Sequence, residues 1–304
     1  MGFRFANIAG RGALLKGEHY YDIAETSGGA LESDPMLLIG ETDALEKLAD
    51  TLENRDPTGT LLGADVLAPV PFPLQSFGIG LNYRNHAEES GAEIPVVPLV
   101  FTKFPSCIAS PNIDVQMKSD FVDYEGELVI VIGKPGKDIS AENAWQHVFG
   151  LCVGQDFSDR AVQLTSQPPQ FNLGKSFETF GPIGPYITSP SELEDPSNLR
   201  LKTSVNGEVR QNDSTGDLIF DVTTLISYLS HITPLFSGDV IFTGTPGGVG
   251  LASGTYLKDG DVVTTEIEGL GRISNHCVRS TDHPHVEEME ALLKKFVASR
   301  RGKQ

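Results

Sequence analysis

The 304-residue chain carries 23 Lys and Arg against 41 Asp and Glu, a net charge of −18, with 39% apolar residues, 32 Gly and 19 Pro. Such acidity argues against a nucleic-acid binder, which needs a basic footprint, and no apolar run reaches the roughly 18–20 residues of a membrane helix. Cys107, Cys152 and Cys277 are odd in number and scattered, which fits neither zinc-type spacing nor a disulfide framework.

The glycine and proline content favours short strands and shaped loops over a helical bundle. The start, Met1-Gly2-Phe3-Arg4-Phe5, lacks the apolar core of a signal peptide, so a soluble cytoplasmic protein is expected. Residues 1–72 read as a small α+β domain. Phe3–Ile8 alternates, and Ala13–Leu15 and His19–Ile23 extend it into a hairpin or meander; Glu41–Leu52 carries leucines at helical spacing. The Pro69–Pro73 cluster marks the boundary. Phe77–Leu81 then reads as a core strand opening into Asn82–Gly91, one or two helical turns that stop at glycine.

Leu128–Gly133 is an apolar, β-branched run, the mark of a strand buried on both faces. It is preceded by Asp123-Tyr124-Glu125-Gly126-Glu127. Side chains alternate along a strand, so Glu125 and Glu127 share a face. Neighbouring carboxylates repel, and a divalent cation removes the conflict. The same spacing at Glu266 and Glu268 is read as a solvated face. Further on, Ala141–Phe149 suits a short helix, and Leu151–Gly154 a strand ending near Asp156. Asn172–Pro185 is rich in Gly and Pro around Lys175, and Asn206-Gly207 turns a hairpin. Phe220–His231 is helical in spacing, Asp239–Thr243 a strand, Asp261–Ile267 a final strand, and Val286–Val297 a tail helix with Met289, Leu292, Leu293 and Phe296 on one face. The main domain is thus 73–280, and 281–304 a helical tail.

If the strand before Asp156 neighbours the one after Glu127, three carboxylates converge. A ligand set of oxygens alone suits Mg²⁺, Mn²⁺ or Ca²⁺ rather than zinc. His86 and Glu89, at i and i+3, face one side of a helix, where a carboxylate orients imidazole as a base. Arg160, Gln163 and Lys175 are donors that could hold a carbonyl or an oxyanion. Gly244–Gly250 could form a nest of amides, with Thr245, for a carboxylate.

Taken together these motifs resemble the fumarylacetoacetate hydrolase family. They are Asn82-Tyr83-x-x-His86-x-x-Glu89, Asp123-Tyr124-Glu125-x-Glu127-Leu128, Asp156-x-Ser158-x-Arg160-x-x-Gln163, Lys175-x-Phe177-x-Thr179, Asn206-Gly207-Glu208 and Thr243-Gly244-Thr245-Pro246-x-Gly248-Val249-Gly250. Gln155, Val162, Ser176 and Glu178 depart from the family's usual residues. The resemblance implies an α+β, mostly β fold, a mixed β-sandwich roll, and a homodimer. It implies Mg²⁺ or Mn²⁺ at Glu125, Glu127 and Asp156, and a catalytic His86–Glu89 dyad on a lid. Lys175 is implied as a third catalytic group on the substrate's keto oxygens, and substrate contacts are implied at Tyr83, Arg160, Gln163, Gly244 and Thr245. The implied reaction is hydrolysis of a C–C bond in a 2,4-diketo acid such as an acylpyruvate, by water that the dyad activates. Oxaloacetate decarboxylation and dienoate isomerisation or hydration are the family's alternatives, and a non-catalytic member that keeps the fold to bind a metal or ligand is the alternative of a different class.

Overall fold

In the computed structural model, which describes residues 2–91, 93–166, 168–281 and 283–301, the strand Gly126–Ile132 is buried along its whole length. The strands around it, in chain order, are β1 (Arg4–Ile8), β2 (Arg11–Lys16), β3 (His19–Asp22), β4 (Ser76–Gly80), β5 (Leu99–Thr102), β6 (Gly126–Ile132), β7 (Val148–Gln155), β8 (Gly181–Thr188), β9 (Arg200–Val205), β10 (Glu208–Ser214), β11 (Val240–Phe242), β12 (Val262–Ile267) and β13 (Gly271–Arg279). The helices that matter here are α1 (Thr42–Ala49), α2 (Arg84–Ser90), α3 (Arg160–Thr165), α4 (Val222–Ser230) and α5 (Val286–Arg301).

Nine strands of a mixed 12-stranded sheet run β3-β2-β1-β8-β7-β6-β11-β4-β5, the short pieces Gly59–Thr60, Val66–Leu67 and Ile108–Ala109 completing it, and a second sheet of five has β10-β9-β12-β13 with Val115–Met117 at its edge. Alternation on β6 explains how the layers hold together. Leu128, Ile130 and Ile132 face one core with Leu201, Ile267 and Ile273 of the second sheet and Leu225 and Leu229 of α4. Val129 and Val131 face the other core, where they meet Phe3, Phe5, Leu14 and Leu45. The two faces therefore anchor both the second sheet and the N-terminal residues.

The proline-marked boundary near residue 72 is bridged by this packing. β1 pairs with β8, Phe5 opposite Ile187, so the N-terminal meander extends the same sheet. Asn206 and Gly207 turn the β9–β10 hairpin with φ 52° and 82°, as Asn-Gly predicts. Gly91 ends α2 with φ 63°.

Two strands depart from the sequence reading. The Gly/Pro-rich tract Asn172–Pro185, in which no strand is read, continues into β8, a central strand between β1 and β7. Its sequence, Gly-Pro-Ile-Gly-Pro-Tyr-Ile-Thr, carries the residues that usually exclude a central strand. Asp261–Ile267 is not the last strand, because β13 follows and pairs with it. The inward positions of β13 are Ile273, Asn275 and Cys277, and the buried Asn275, which donates to the carbonyls of Pro111 and Ile113 at 3.2 Å, breaks the apolar alternation. The helix expected over Ala141–Phe149 is a 3₁₀ segment ending at His147, with Val148 already in β7. The tail helix forms, although the Phe296 side chain and residues 302–304 lie outside the described set.

Candidate metal and substrate site

The register of β6 and β7 builds the site. Gly126 lies opposite Gln155, so the residues just beyond, Glu125 and Asp156, also meet; the Asp156 N–H donates to the Glu125 carbonyl at 2.9 Å. Glu125, Glu127 and Asp156 are buried, each with a carboxylate oxygen within 4.8 Å of the others'. Glu266 and Glu268, with the same spacing, are exposed. Gln155 serves the framework, accepting from the Glu125 N–H at 2.9 Å and donating to Thr265 Oγ1 at 2.6 Å.

Buried cations surround the three acids. Lys175 Nζ lies 2.7 Å from Glu125 Oε2 and 2.7 Å from Asp156 Oδ2, and donates to Ser158 Oγ at 2.8 Å. Arg160 reaches Glu125 Oε1 at 2.5 Å and Asp123 Oδ2 at 2.7 Å, and its other terminal nitrogen donates to Gln163 Oε1 at 2.8 Å. Burial alone would raise the Glu125 carboxyl, but Lys175 and Arg160 hold it down at about 2. Among the described residues no cation forms an ion pair with Glu127, and Lys175 offsets only part of what raises it. Burial, then the charges of Asp156 and Glu125, push its carboxyl well above the usual range. Its Oε2 accepts the Gly244 N–H at 2.7 Å. A buried carboxylate in that position calls for a positive partner, and three convergent carboxylates with no Cys or His fit a hard divalent cation.

Helix α2 lies over the opening. His86 lines a cavity of about 200 Å³ together with Glu125, Arg160, Gln163, Lys175 and Thr245; Ile79, Phe101, Leu164 and Phe171 supply an apolar wall. His86 Nδ1 is 3.6 Å from Glu89 Oε2, an ion-pair separation beyond hydrogen-bond range, and has no hydrogen-bond partner among the described residues. The imidazole, and then the Gly248 N–H against burial, hold the Glu89 carboxyl below its usual value.

In the loop where a carboxylate nest is expected, four amides already have protein acceptors. Gly244 donates to Glu127, Gly247 to Asn85 Oδ1 at 3.1 Å, Gly248 to Glu89 at 3.0 Å and Gly250 to Asp123 Oδ1 at 2.7 Å. The loop thus holds protein acceptors. Two of its glycines are obligatory. A Cβ on Gly244 would sit 2.9 Å from the Ile79 carbonyl oxygen and one on Gly248 2.0 Å from that of Arg210, at φ of +98° and +101°. Thr245 lines the cavity, but its hydroxyl donates to the Gly126 carbonyl at 2.9 Å and accepts from Gln211 at 2.7 Å. It can only accept from a substrate, since its one proton is committed. Tyr83 is fully buried and outside the cavity wall. Its hydroxyl has no partner among the described residues, and burial followed by the charge of Glu127 raises it.

Two residues that brace the site were not singled out by the sequence reading. Lys103, which directly follows β5 (Leu99–Thr102), is 1% exposed. Its Nζ donates to Asp156 Oδ1 at 2.7 Å, to the Phe180 carbonyl at 3.2 Å and to the Lys175 carbonyl. The signal was a lysine between apolar neighbours, Leu99-Val100-Phe101 before and Phe104 after. Asp123, quoted only within a motif, positions Arg160 and accepts the Gly250 and Leu251 N–H groups.

The family described as Fumarylacetoacetate (FAA) hydrolase C-terminal matches residues 75–278. The chain is 39% identical to a mitochondrial oxaloacetate tautomerase of Xenopus laevis, over 80% of this chain and 77% of that one. A solved HpcE-type protein from Mycobacterium smegmatis is similar with a TM-score of 0.86 at 42% identity, covering 91% of this chain and 99% of that one. A maleylpyruvate hydrolase from Sphingobium sp. SYK-6, solved with manganese(II) and pyruvate, gives a TM-score of 0.77 at 28% identity over 91% and 100%. The chain belongs to the fumarylacetoacetate hydrolase family and has its α+β fold. It is an enzyme of that metal-dependent family, with a buried Glu-Glu-Asp group able to bind a divalent ion. No described helix is long and apolar enough to cross a membrane.

Proposed function

We propose that the protein catalyses proton transfer on a 2-oxo acid, with keto–enol tautomerisation of oxaloacetate as its reaction. The carrying observation is His86 on α2 facing a cavity of about 200 Å³ whose wall includes Glu125, Arg160, Gln163 and Lys175. Such a cavity suits a small dioxo acid. A Mg²⁺ or Mn²⁺ ion held by Glu125, Glu127 and Asp156 would supply Lewis-acid stabilisation of negative charge on the substrate's 2-oxo oxygen. His86 takes a proton from C3 and returns one to the oxygen, so the reaction is balanced as an isomerisation. The Glu89 carboxylate, 3.6 Å from His86 Nδ1, lies beside the imidazole as it takes the proton. Gln163, its Oε1 committed to Arg160, turns its amide to the substrate carboxylate. The three donors of Lys175 rest on Glu125, Asp156 and Ser158, so it reaches a substrate oxygen by exchanging one of them. Similarity to an oxaloacetate tautomerase over four-fifths of the chain supports this reading.

Hydrolysis of a 2,4-dioxo acid is the second reading. It is favoured by the carboxylate beside His86 Nδ1, an arrangement that suits activation of water, and by the similar maleylpyruvate hydrolase. Oxaloacetate and acetylpyruvate, each incubated with Mn²⁺, separate the two. Decay of enol absorbance faster than in buffer, without pyruvate, supports tautomerisation. Pyruvate release from acetylpyruvate with no effect on oxaloacetate enol overturns it. We carry the homodimer, the cytoplasmic location and a segmentation of the one packed unit at residues 72 and 280 as parts of the same proposal, checked by light scattering, fractionation and limited proteolysis.

A further inference from the structure

Helix α2 has little apolar grip on the rest of the molecule. Of the side chains described in Arg84–Glu89, only Ala87 is buried, so polar contacts must hold it down. Asn85 and Glu89, at i and i+4, lie on one side of the helix and take adjacent amides of the glycine loop, Gly247 at 3.1 Å and Gly248 at 3.0 Å. Asn85 does more than Glu89. While its Oδ1 accepts from Gly247, its Nδ2 donates to Asp213 Oδ2 on β10, tying α2 to the second sheet and to the loop at once. Asp213 is itself fixed, since its Oδ1 accepts the Ser214 N–H at 2.8 Å, and Asp217 is close enough for Asp213 to raise its carboxyl.

We infer that Asn85 is a positioning residue that docks α2 and thereby sets His86 over the cavity, a role that rests on the reading of His86 as the base. The amide is the one side chain of this size that satisfies both ends, because Gly247 needs an acceptor and Asp213 a donor. A carboxylate in its place keeps the first contact and turns the second into a like-charge contact beside Asp213 and Asp217.

The test is a swap. In Asn85→Asp, hydrogen exchange at 84–90 in the Mn²⁺-loaded protein should quicken by about ten-fold, the order expected when one such contact is lost. Turnover of oxaloacetate should fall, while Mn²⁺ affinity, set by untouched residues, holds. Asn85→Asp with Asp213→Asn restores a donor opposite an acceptor and should return exchange and turnover toward the parent. A merely structural defect at position 85 would not be rescued from position 213. Exchange in Asn85→Asp equal to the parent's, or a double variant as fast as the single, overturns the inference. If the parent proves inactive on oxaloacetate and acetylpyruvate, the functional reading fails, and the exchange measurement still decides the docking.

Discussion

At the residue scale, the site is a contrast between two glutamates on one strand. Glu125 is held at about 2 against an ordinary 4.5 by Lys175 and Arg160. A lowered carboxyl adds stability above about pH 4.5 and loses it as pH falls toward 2. Glu127 has the opposite sign. Its raised value means that its stabilising, protonated form is present below about 4.5 and lost as pH rises through the folded value. A cation needs the carboxylate, so Mn²⁺ binding should expel that proton; calorimetry in buffers of different ionisation enthalpy should register the release, and a buffer-independent heat would contradict it. Glu127→Ala should keep the fold and weaken Mn²⁺ binding by at least about 100-fold, beyond what loss of a supporting contact costs. His86→Ala should lower turnover about 10²–10⁴-fold, the usual worth of a general base, with Mn²⁺ affinity intact. A variant turning over at the parent rate would remove His86 from the mechanism.

At the element scale, α2 and the glycine loop act as one unit. Hydrogen exchange over 84–90 should slow when oxalate, a small dianion, is added with Mn²⁺; equal exchange with and without oxalate would argue that α2 does not respond to the site. Gly248→Ala should destabilise the protein by roughly 1–3 kcal/mol through backbone strain, with the clash against Arg210 in addition; a thermal midpoint equal to the parent's would contradict this. Much of the fold around this unit was legible in the sequence, because it follows from local pattern. The β6 run, the Asn-Gly hairpin and the stop at Gly91 each depend on adjacent residues. Hidden features depend on distant ones. The four amides of the glycine loop cannot be assigned acceptors without knowing that Asn85, Glu89, Asp123 and Glu127 converge on it. Nor can Lys103 be told from a surface lysine until Asp156 is placed 2.7 Å from its Nζ. β8 was hidden for a different reason, since two glycines and two prolines disguise a strand that its neighbours on both sides hold in place.

At the scale of the whole molecule, the N-terminal residues and the site share one sheet. Phe3, Phe5 and Leu14 pack on Val129 and Val131 of the strand that starts at the metal-site glutamates. Removing residues 1–72 would uncover that core and the β1 side of β8. The truncated chain should lose its cooperative thermal transition; a shortened protein melting at the parent temperature would show the two parts to be independent. The central claim is that this fold brings Glu125, Glu127, Asp156 and His86 together for proton transfer on a 2-oxo acid. It is tested most directly by following the enol absorbance of oxaloacetate with enzyme and Mn²⁺, then with EDTA, then with Mn²⁺ restored. The account predicts enol decay faster than in buffer, lost with EDTA, recovered with Mn²⁺ and absent in Glu127→Ala. Decay that EDTA leaves unchanged, or no acceleration by the Mn²⁺-loaded protein, would contradict it.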